Sequence, residues 1–531
     1  MSTSRPDIVL VLADDMGFSD IGCFGGEIET PHLDRLGRSG VRFTQFYNSP
    51  RCSPSRASLL TGLHPHQVGL GILNFDDTPD GYPGNLTQEC ATVAECLRAV
   101  GYRTYLSGKW HLASDMETPN GAWPTRRGFD RFYGTLEGAG SFYHPRTLMR
   151  DEKDIAHEAA APGFYYTDAI SDAALGFVTD HHRAAPDDPF FLYLAYTAPH
   201  WPLHAPEEEI TKHKGRFDAG WDTLRAERLE RLVGEDILDV SWRLSPRDER
   251  VTAWDAVEDK EWQARRMEVY AAQLSRMDDG IGRLLDRLTE LGRLDNTIVV
   301  FLSDNGGCAE ELDRHFVEAF VPLQDTTKEG EPVVAGNVPG LVPGPESTYA
   351  SYGRAWANLS NTPFREYKHW VHEGGISTPL LWHWPDGTVD PGRLERTPFQ
   401  LVDVLPSLLE AAGAGYPSHR CGAPVPPMEG RSMLPTVRGE VVEERPLFWE
   451  HEGNQGVRHG RWKLVRKHDQ DWELYDMVTD RTELTDLSDR EGVRVGEMSG
   501  AYDAWAKRCG VIPRDRVLEV YAARGKGLPP E

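Results

Sequence analysis

Three apolar runs do most to limit how this chain can fold. Residues 8–13 (Ile-Val-Leu-Val-Leu-Ala), 190–196 (Phe-Phe-Leu-Tyr-Leu-Ala-Tyr) and 297–302 (Thr-Ile-Val-Val-Phe-Leu) carry no charged side chain. A strand with no polar alternation has to be covered on both faces, as in a parallel sheet packed between helices. The intervening sequence supplies helices. Residues 168–182 form one, and 261–292 form a long amphipathic one whose stripe runs through Met267, Tyr270, Leu274, Met277, Ile281, Leu284 and Leu288. The expectation is therefore an α/β protein.

Each run stops on polar residues, and in open α/β sheets ligands gather beyond the carboxyl ends of the strands. Asp14 and Asp15 follow the first run. Asp304 and Asn305 follow the third, with Gly306 and Gly307 allowing a tight turn. Adjacent carboxylates repel unless a cation holds them, although Asp pairs also serve as solvated loops or caps. A further strand at 102–107 delivers Lys109 and His111, which could reach one anion or lie at the surface. His200 follows the second run, stiffened by Pro199 and Pro202; alone, it suits a structural histidine equally.

Upstream, the strand 41–47 leads to Cys52-Ser53-Pro54-Ser55-Arg56. Ser53 reads as a helix N-cap and Pro54 as the first helical residue. Cys52 then precedes a helix start, where free N–H groups favour anions, and Arg56 brings a fixed charge into the first turn.

Charge excludes some partners. With 83 acidic against 57 basic residues, formally −26, neither nucleic acid nor an anionic membrane surface is expected to bind. The start of the chain carries no signal-peptide pattern, and no apolar run is long enough to span a bilayer. Seven dispersed cysteines form no disulfide framework, and Cys90 and Cys96 are expected as reduced core thiols. These features together point to the cytoplasm.

Taken together, the strand ends place an all-oxygen set (Asp14, Asp15, Asp304, Asn305) beside Arg56, Lys109, His111, His200 and Lys368. Oxygen donors suit Ca2+ better than zinc. Ala13-Asp14-Asp15-Met16-Gly17, Cys52-Ser53-Pro54-Ser55-Arg56, Gly108-Lys109-Trp110-His111, Ala198-Pro199-His200-Trp201, Ser303-Asp304-Asn305-Gly306, and Lys368 ahead of Glu373-Gly374-Gly375-Ile376 occur in this order. In these strings the chain resembles the type I, formylglycine-dependent sulfatases, and is closest to bacterial arylsulfatases of the alkaline phosphatase superfamily. It departs from them at Ser377-Thr378-Pro379, where many relatives carry Arg-Val-Pro, and at His204, where a close relative type carries an amide.

The resemblance implies hydrolysis of a small sulfate monoester. Cys52 would be oxidised to formylglycine by a formylglycine-generating enzyme. Asp14, Asp15, Asp304, Asn305 and the modified residue 52 would bind Ca2+. Arg56 would position the nucleophile, Lys109, His200 and Lys368 would bind the sulfuryl group, and His200 and His111 would move protons. A phosphonate monoester or phosphodiester hydrolase of the same superfamily is the alternative.

For organisation, residues 205–262 are expected as a peripheral insertion and 306–365 as a loop-rich lid or mobile segment. A catalytic domain over 1–435, with a large, mostly parallel sheet sandwiched by helices, should precede a smaller domain over 436–531. That smaller unit should hold a short antiparallel sheet and a helix near 493–509.

Overall fold

The computed structural model of the chain describes residues 5–313, 316–317 and 323–524. Its centre is a mixed sheet in which the apolar runs are neighbours. The order is Arg103–Gly108, Phe190–Ala195, Asp7–Ala13, Thr297–Ser303, Ser377–His383 and Val41–Tyr47. The first four are mutually parallel, with Ile8 registered against both Phe191 and Ile298. The Ser377–His383 strand runs antiparallel to both its neighbours.

Every residue of Asp7–Ala13 is buried, and the alternation of side chains explains why none is polar past Asp7. Val9, Val11 and Ala13 join one core, under helices Tyr166–Ala184 and Lys260–Glu290. Ile8, Leu10 and Leu12 join a second core on the other face, with helices Cys52–Thr61 and Val404–Ala412. At roughly 1.5–3 kcal/mol per fully buried aliphatic side chain, both faces contribute. The sheet edge is thereby a rigid platform.

Two expectations are revised. Residues 205–262 do not lie at the periphery. Trp221 and Trp254 pack edge-on at 4.7 Å, with Trp356 5.2 Å from Trp221. The fully buried Arg228 of the same stretch pairs with Asp20 at 2.8 Å and Glu27 at 2.7 Å. The stretch 306–365 also contains structure that periodicity does not reveal, namely the helix Gly353–Ser360 and a two-strand parallel pairing of Val334–Ala335 with Thr348–Tyr349. Residues 314–315 and 318–322 of that stretch lie outside the described residues.

Beyond the main sheet, Leu447–His451, Asn454–His459, Trp462–Arg466 and Glu473–Asp476 form a four-stranded antiparallel sheet. Helix Gly492–Cys509 covers one face of it. A further helix, Arg514–Ala523, follows that was not anticipated. The other face meets the main body through Tyr47, Val371 and Ile376. It also meets it through a wholly buried charge cluster. Lys463 Nζ donates to Glu373 Oε1 at 2.9 Å and pairs with Glu483 at 2.8 Å, while Arg481 Nε donates to Glu373 Oε2 at 3.0 Å. Arg481 Nη2 also donates to Ser377 Oγ at 2.7 Å, so a guanidinium from the C-terminal region reaches the start of the Ser377-Thr378-Pro379 segment.

All seven cysteines are free thiols, and only Cys421 is exposed. Among the described residues, no helix is long and apolar enough to cross a membrane.

Burial alone would raise the Glu373 carboxyl, but Lys463 and Arg481 overcome it and hold the group down to about 2. Glu373→Gln would leave two buried cations short of a counter-ion, so it should cost about 3–5 kcal/mol at neutral pH, measured by urea unfolding. A depressed folded pKa stabilises above the unfolded value of about 4.3 and stops doing so as pH falls through the folded value. The gap between wild type and variant should therefore shrink between about pH 4 and pH 2. A gap below about 1 kcal/mol at pH 7 would contradict this.

Candidate active site

Backbone bonds between strand ends fix where the polar residues fall. Asp304 N donates to Ala13 O at 3.1 Å, Asp14 N to Ala198 O at 3.1 Å, and Lys109 N to Ala195 O at 2.7 Å. Four loops are thereby laced along one carboxyl edge. Asp15 and His111 both adopt left-handed backbone conformations, with φ of 66° and 60°, a cost of order 1–3 kcal/mol each that recurs where side chains must be aimed. Gly306 has no alternative, because a Cβ there would lie 1.8 Å from Gly374 O.

Cys52 differs in detail from the expectation. It is the first residue of the helix Cys52–Thr61, and the extended Arg51 precedes it as the N-cap. Ser53 does not cap the helix; its Oγ donates to His111 O at 2.9 Å, which ties the helix start to the Lys109-Trp110-His111 turn. Cys52 itself is 3% exposed.

The sequence-selected residues converge. Lys109 Nζ donates to Asp14 Oδ2 at 2.6 Å, and Lys368 Nζ donates to Asp15 Oδ2 at 2.7 Å. Arg56 gives Nε and Nη2 to Asp304 Oδ2 at 3.2 and 3.0 Å, and Nη1 to Lys109 O at 3.0 Å. Its fork is thus committed to the carboxylate. Asn305 Nδ2 donates to Asp15 Oδ1 at 2.7 Å. His200 Nδ1 donates to Trp201 O at 2.6 Å, which leaves Nε2 facing Lys368 Nζ and Asp15 Oδ2, each at 3.3 Å. Ligand atoms of Asp14, Asp15, Cys52 and His200 lie within 4.8 Å of one another.

The electrostatics expose a deficit of positive charge. Burial would raise Asp15, yet Lys368 and His200 hold it down to about 2. Asp304 is pushed up to about 7 by burial and then by the neighbouring Asp14, despite Arg56. Burial and the adjacent Lys109 and Arg56 drive His111 well below its ordinary range, so its imidazole is neutral. Lys368 is held firmly protonated by Asp15 against the pull of burial.

One participant was missed. Glu310 Oε1 accepts from Arg51 at 2.9 Å, and Glu310 Oε2 accepts from Trp201 Nε1 at 2.8 Å. Burial opposes its ionisation, but Lys368, Arg51 and His200 depress its pKa strongly. It braces the turn that carries His200. No periodicity marks it; the only signal was its place six residues beyond Asp304 in a glycine-bearing loop. A cavity of about 230 Å³, lined by Arg51, Glu310, Tyr367, Lys368 and Trp370 among others, opens beside Lys368. His204 is bonded at both ring nitrogens, to Phe142 N and Thr348 O, and serves as a brace.

A sheet edge that collects buried carboxylates, two lysines and a buried cysteine at a helix start defines a hydrolase for small anionic esters. The chain belongs to the sulfatase family of the alkaline phosphatase superfamily and is a sulfuric ester hydrolase. It matches the Sulfatase family model over residues 6–414, and the N-sulphoglucosamine sulphohydrolase C-terminal model over residues 365–496. It is 32% identical to an uncharacterized sulfatase of Schizosaccharomyces pombe, covering 97% of this chain and 96% of that one. It is 33% identical to an arylsulfatase of Klebsiella aerogenes, over 81% of this chain and 91% of that one. The solved structure of Ps i-CgsB with k-i-k-neocarrahexaose shares the fold, with a TM-score of 0.68, 24% identity and 98% coverage of both chains.

Gly138 packs against the site, and a Cβ on it would lie 2.3 Å from His111 Nε2. Gly138→Ala should displace the imidazole and lower kcat/KM by about 10²-fold, the usual cost of an ångström of misplacement. Thermal unfolding should change little. Unaltered turnover in the folded variant would remove His111 from the working site.

Proposed function

We propose that the chain hydrolyses aryl sulfate-type monoesters to a phenol or alcohol and inorganic sulfate. In this reading Cys52 is converted to formylglycine during maturation by a formylglycine-generating enzyme, and one Ca2+ is held by Asp14, Asp15, Asp304, Asn305 and the modified residue 52. The observation that carries it is a pair of buried acceptors, Asp14 Oδ1 and Asn305 Oδ1, that have no hydrogen-bond partner. They sit in an all-oxygen set beside a carboxylate short of positive charge, and such a set fits a hard divalent cation. Bound there, Ca2+ would supply Lewis-acid polarisation of a sulfate oxygen. What a hydrated formylglycine supplies is a pair of geminal hydroxyls, one for attack on sulfur and one for release.

The chain's own residues do the rest. Arg56 orients Asp304, whose carboxylate takes the proton of the attacking hydroxyl. Lys109 and Lys368, anchored on Asp14 and Asp15, neutralise charge developing on the sulfuryl oxygens. His200, fixed through Nδ1, delivers a proton from Nε2 to the leaving oxygen with Lys368 beside it. His111, neutral by burial, accepts the proton of the second hydroxyl. We assign the enzyme to the cytoplasm on its seven free thiols. We also divide it into a catalytic domain over 1–435 and a smaller domain over 436–531. Binding of a membrane or of nucleic acid is not part of the proposal.

Mass analysis of the peptide spanning residue 52 should find the sulfur lost and an aldehyde in its place; an intact thiol in active enzyme overturns the nucleophile. Asp304→Ala should abolish both Ca2+ binding and turnover, read by metal analysis and by release of a nitrophenol. Rates on an aryl sulfate and on a phenylphosphonate ester with one preparation separate the sulfatase from the phosphonate hydrolase.

General-acid help matters more as the leaving group becomes more basic. His200→Ala should cost little with nitrophenyl sulfate and roughly 10² to 10⁴-fold with an unactivated alkyl sulfate. A penalty that stays flat across the leaving-group series would pass the acid's role to Lys368.

A further inference from the structure

A second group of metal-ligating side chains lies outside the catalytic edge. His369 follows Lys368 in the chain. His451 closes the strand Leu447–His451, and Glu452 begins the turn into Asn454–His459. One ligand atom from each of the three lies within 4.8 Å of the others. His369 Nδ1 is 3.7 Å from Glu452 Oε2, and the two imidazole rings cross at 82° with centroids 5.3 Å apart.

The observation that asks for a ligand is His451. It is 1% exposed, and neither of its ring nitrogens has a hydrogen-bond partner. A buried imidazole with both nitrogens unsatisfied is costly unless something else binds there. Its neighbours are oriented as if around an ion. Tyr521 Oη donates to Glu452 Oε1 at 2.7 Å, which leaves Oε2 turned to His369. Asn454 Nδ2, which also donates to His451 O, donates to His369 Nε2 at 3.3 Å, so Nδ1 is the nitrogen turned to Glu452. His369 and Glu452 both hold left-handed backbone conformations, with φ of 90° and 49°, of the kind that persist where side chains must be aimed.

We propose that His369, His451 and Glu452 form a second metal site, distinct from the one at Asp14 and Asp304, that takes a divalent transition metal of the zinc class. Two imidazoles and one carboxylate favour zinc over calcium. Three protein ligands leave a fourth position for water. Zinc–nitrogen bonds near 2.0–2.1 Å would draw the widest separation in by up to roughly 1.5 Å. Glu452 supplies the negative charge of the group, against the nearby cation Arg51. Glu450 Oε2 is 2.7 Å from His66 Nε2, and Arg51 is already paired with Glu310. Access is available too, because His369 lines the 230 Å³ cavity beside Lys368. The ion would pin the turn of the C-terminal sheet to the loop that carries Lys368. That loop is already fastened at the same point by His369 N donating to Pro50 O at 2.7 Å.

The test is Zn2+ binding to the full chain with Ca2+ kept saturating, by equilibrium dialysis and elemental analysis. One Zn2+ per chain is expected, with Ca2+ retained, and Co2+ in its place should give the visible bands of a four-coordinate ion. His451→Gln and Glu452→Gln should each weaken Zn2+ by at least about 100-fold, and Cys52→Ala should not, because the competing thiol lies in the other cluster. Should a ligand variant fail to fold, Tyr521→Phe removes only the hydroxyl that orients Glu452 and should weaken Zn2+ by about 10-fold. No bound Zn2+ in the wild type, loss of it in Cys52→Ala, or undiminished binding in the folded ligand variants and Tyr521→Phe would each overturn the site.

Discussion

Compensation of buried charge at a single sheet edge is the constraint on which the rest of this structure depends. Asp14, Asp15 and Asp304 are fully or almost fully buried, as are Arg56 and Lys109, and an isolated charge there would be far too costly to keep. Each carboxylate has one cation beside it, Lys109 for Asp14, Lys368 for Asp15 and Arg56 for Asp304, and burial with Asp14 still pushes Asp304 up to about 7. The arrangement demands a rigid frame, because a shift of an ångström would strand a charge. The doubly covered sheet supplies that frame. The elements around it, from the tryptophan cluster of residues 205–262 to the Glu373–Lys463–Arg481 cluster, keep the loops from moving apart.

Much of this was legible in the sequence, for a physical reason. Strands buried on both faces must be apolar throughout, so the runs at 8–13, 190–196 and 297–302 announce themselves. Their ends are just as clear, because polarity returns abruptly at Asp14, His200 and Asp304. Motif order then brought Cys52, Lys109 and Lys368 into the same picture. What stayed hidden depends on tertiary partners. Glu310 looks like any loop carboxylate until Arg51, Trp201 and Lys368 surround it. Ser53 has the chemistry of a cap, but the carbonyl of His111 offers it a better partner, and the helix starts two residues early. Residues 205–262 looked solvated because their charges are numerous; Arg228 is buried only because Asp20 and Glu27 meet it.

The two clusters of side chains that could hold a metal divide along the same line. The one at the sheet edge is written into strand ends and motifs. The His369, His451 and Glu452 group joins a loop to a distant hairpin, a pairing that no local pattern encodes. Lys368 and His369, neighbours in sequence, face different clusters, so one short loop serves both.

The placement of Cys52 also sets an order in time. Its side chain is 3% exposed, its backbone opens a helix, and the next residue is bonded to a turn nearly sixty positions away in the chain. A second protein could not grip the residues flanking Cys52 in an extended form without undoing that helix start and the sheet edge above it. Any chemistry performed on this side chain by another enzyme must therefore happen on the nascent or unfolded chain. Folding then seals the product away, and the opportunity closes once for the lifetime of each molecule.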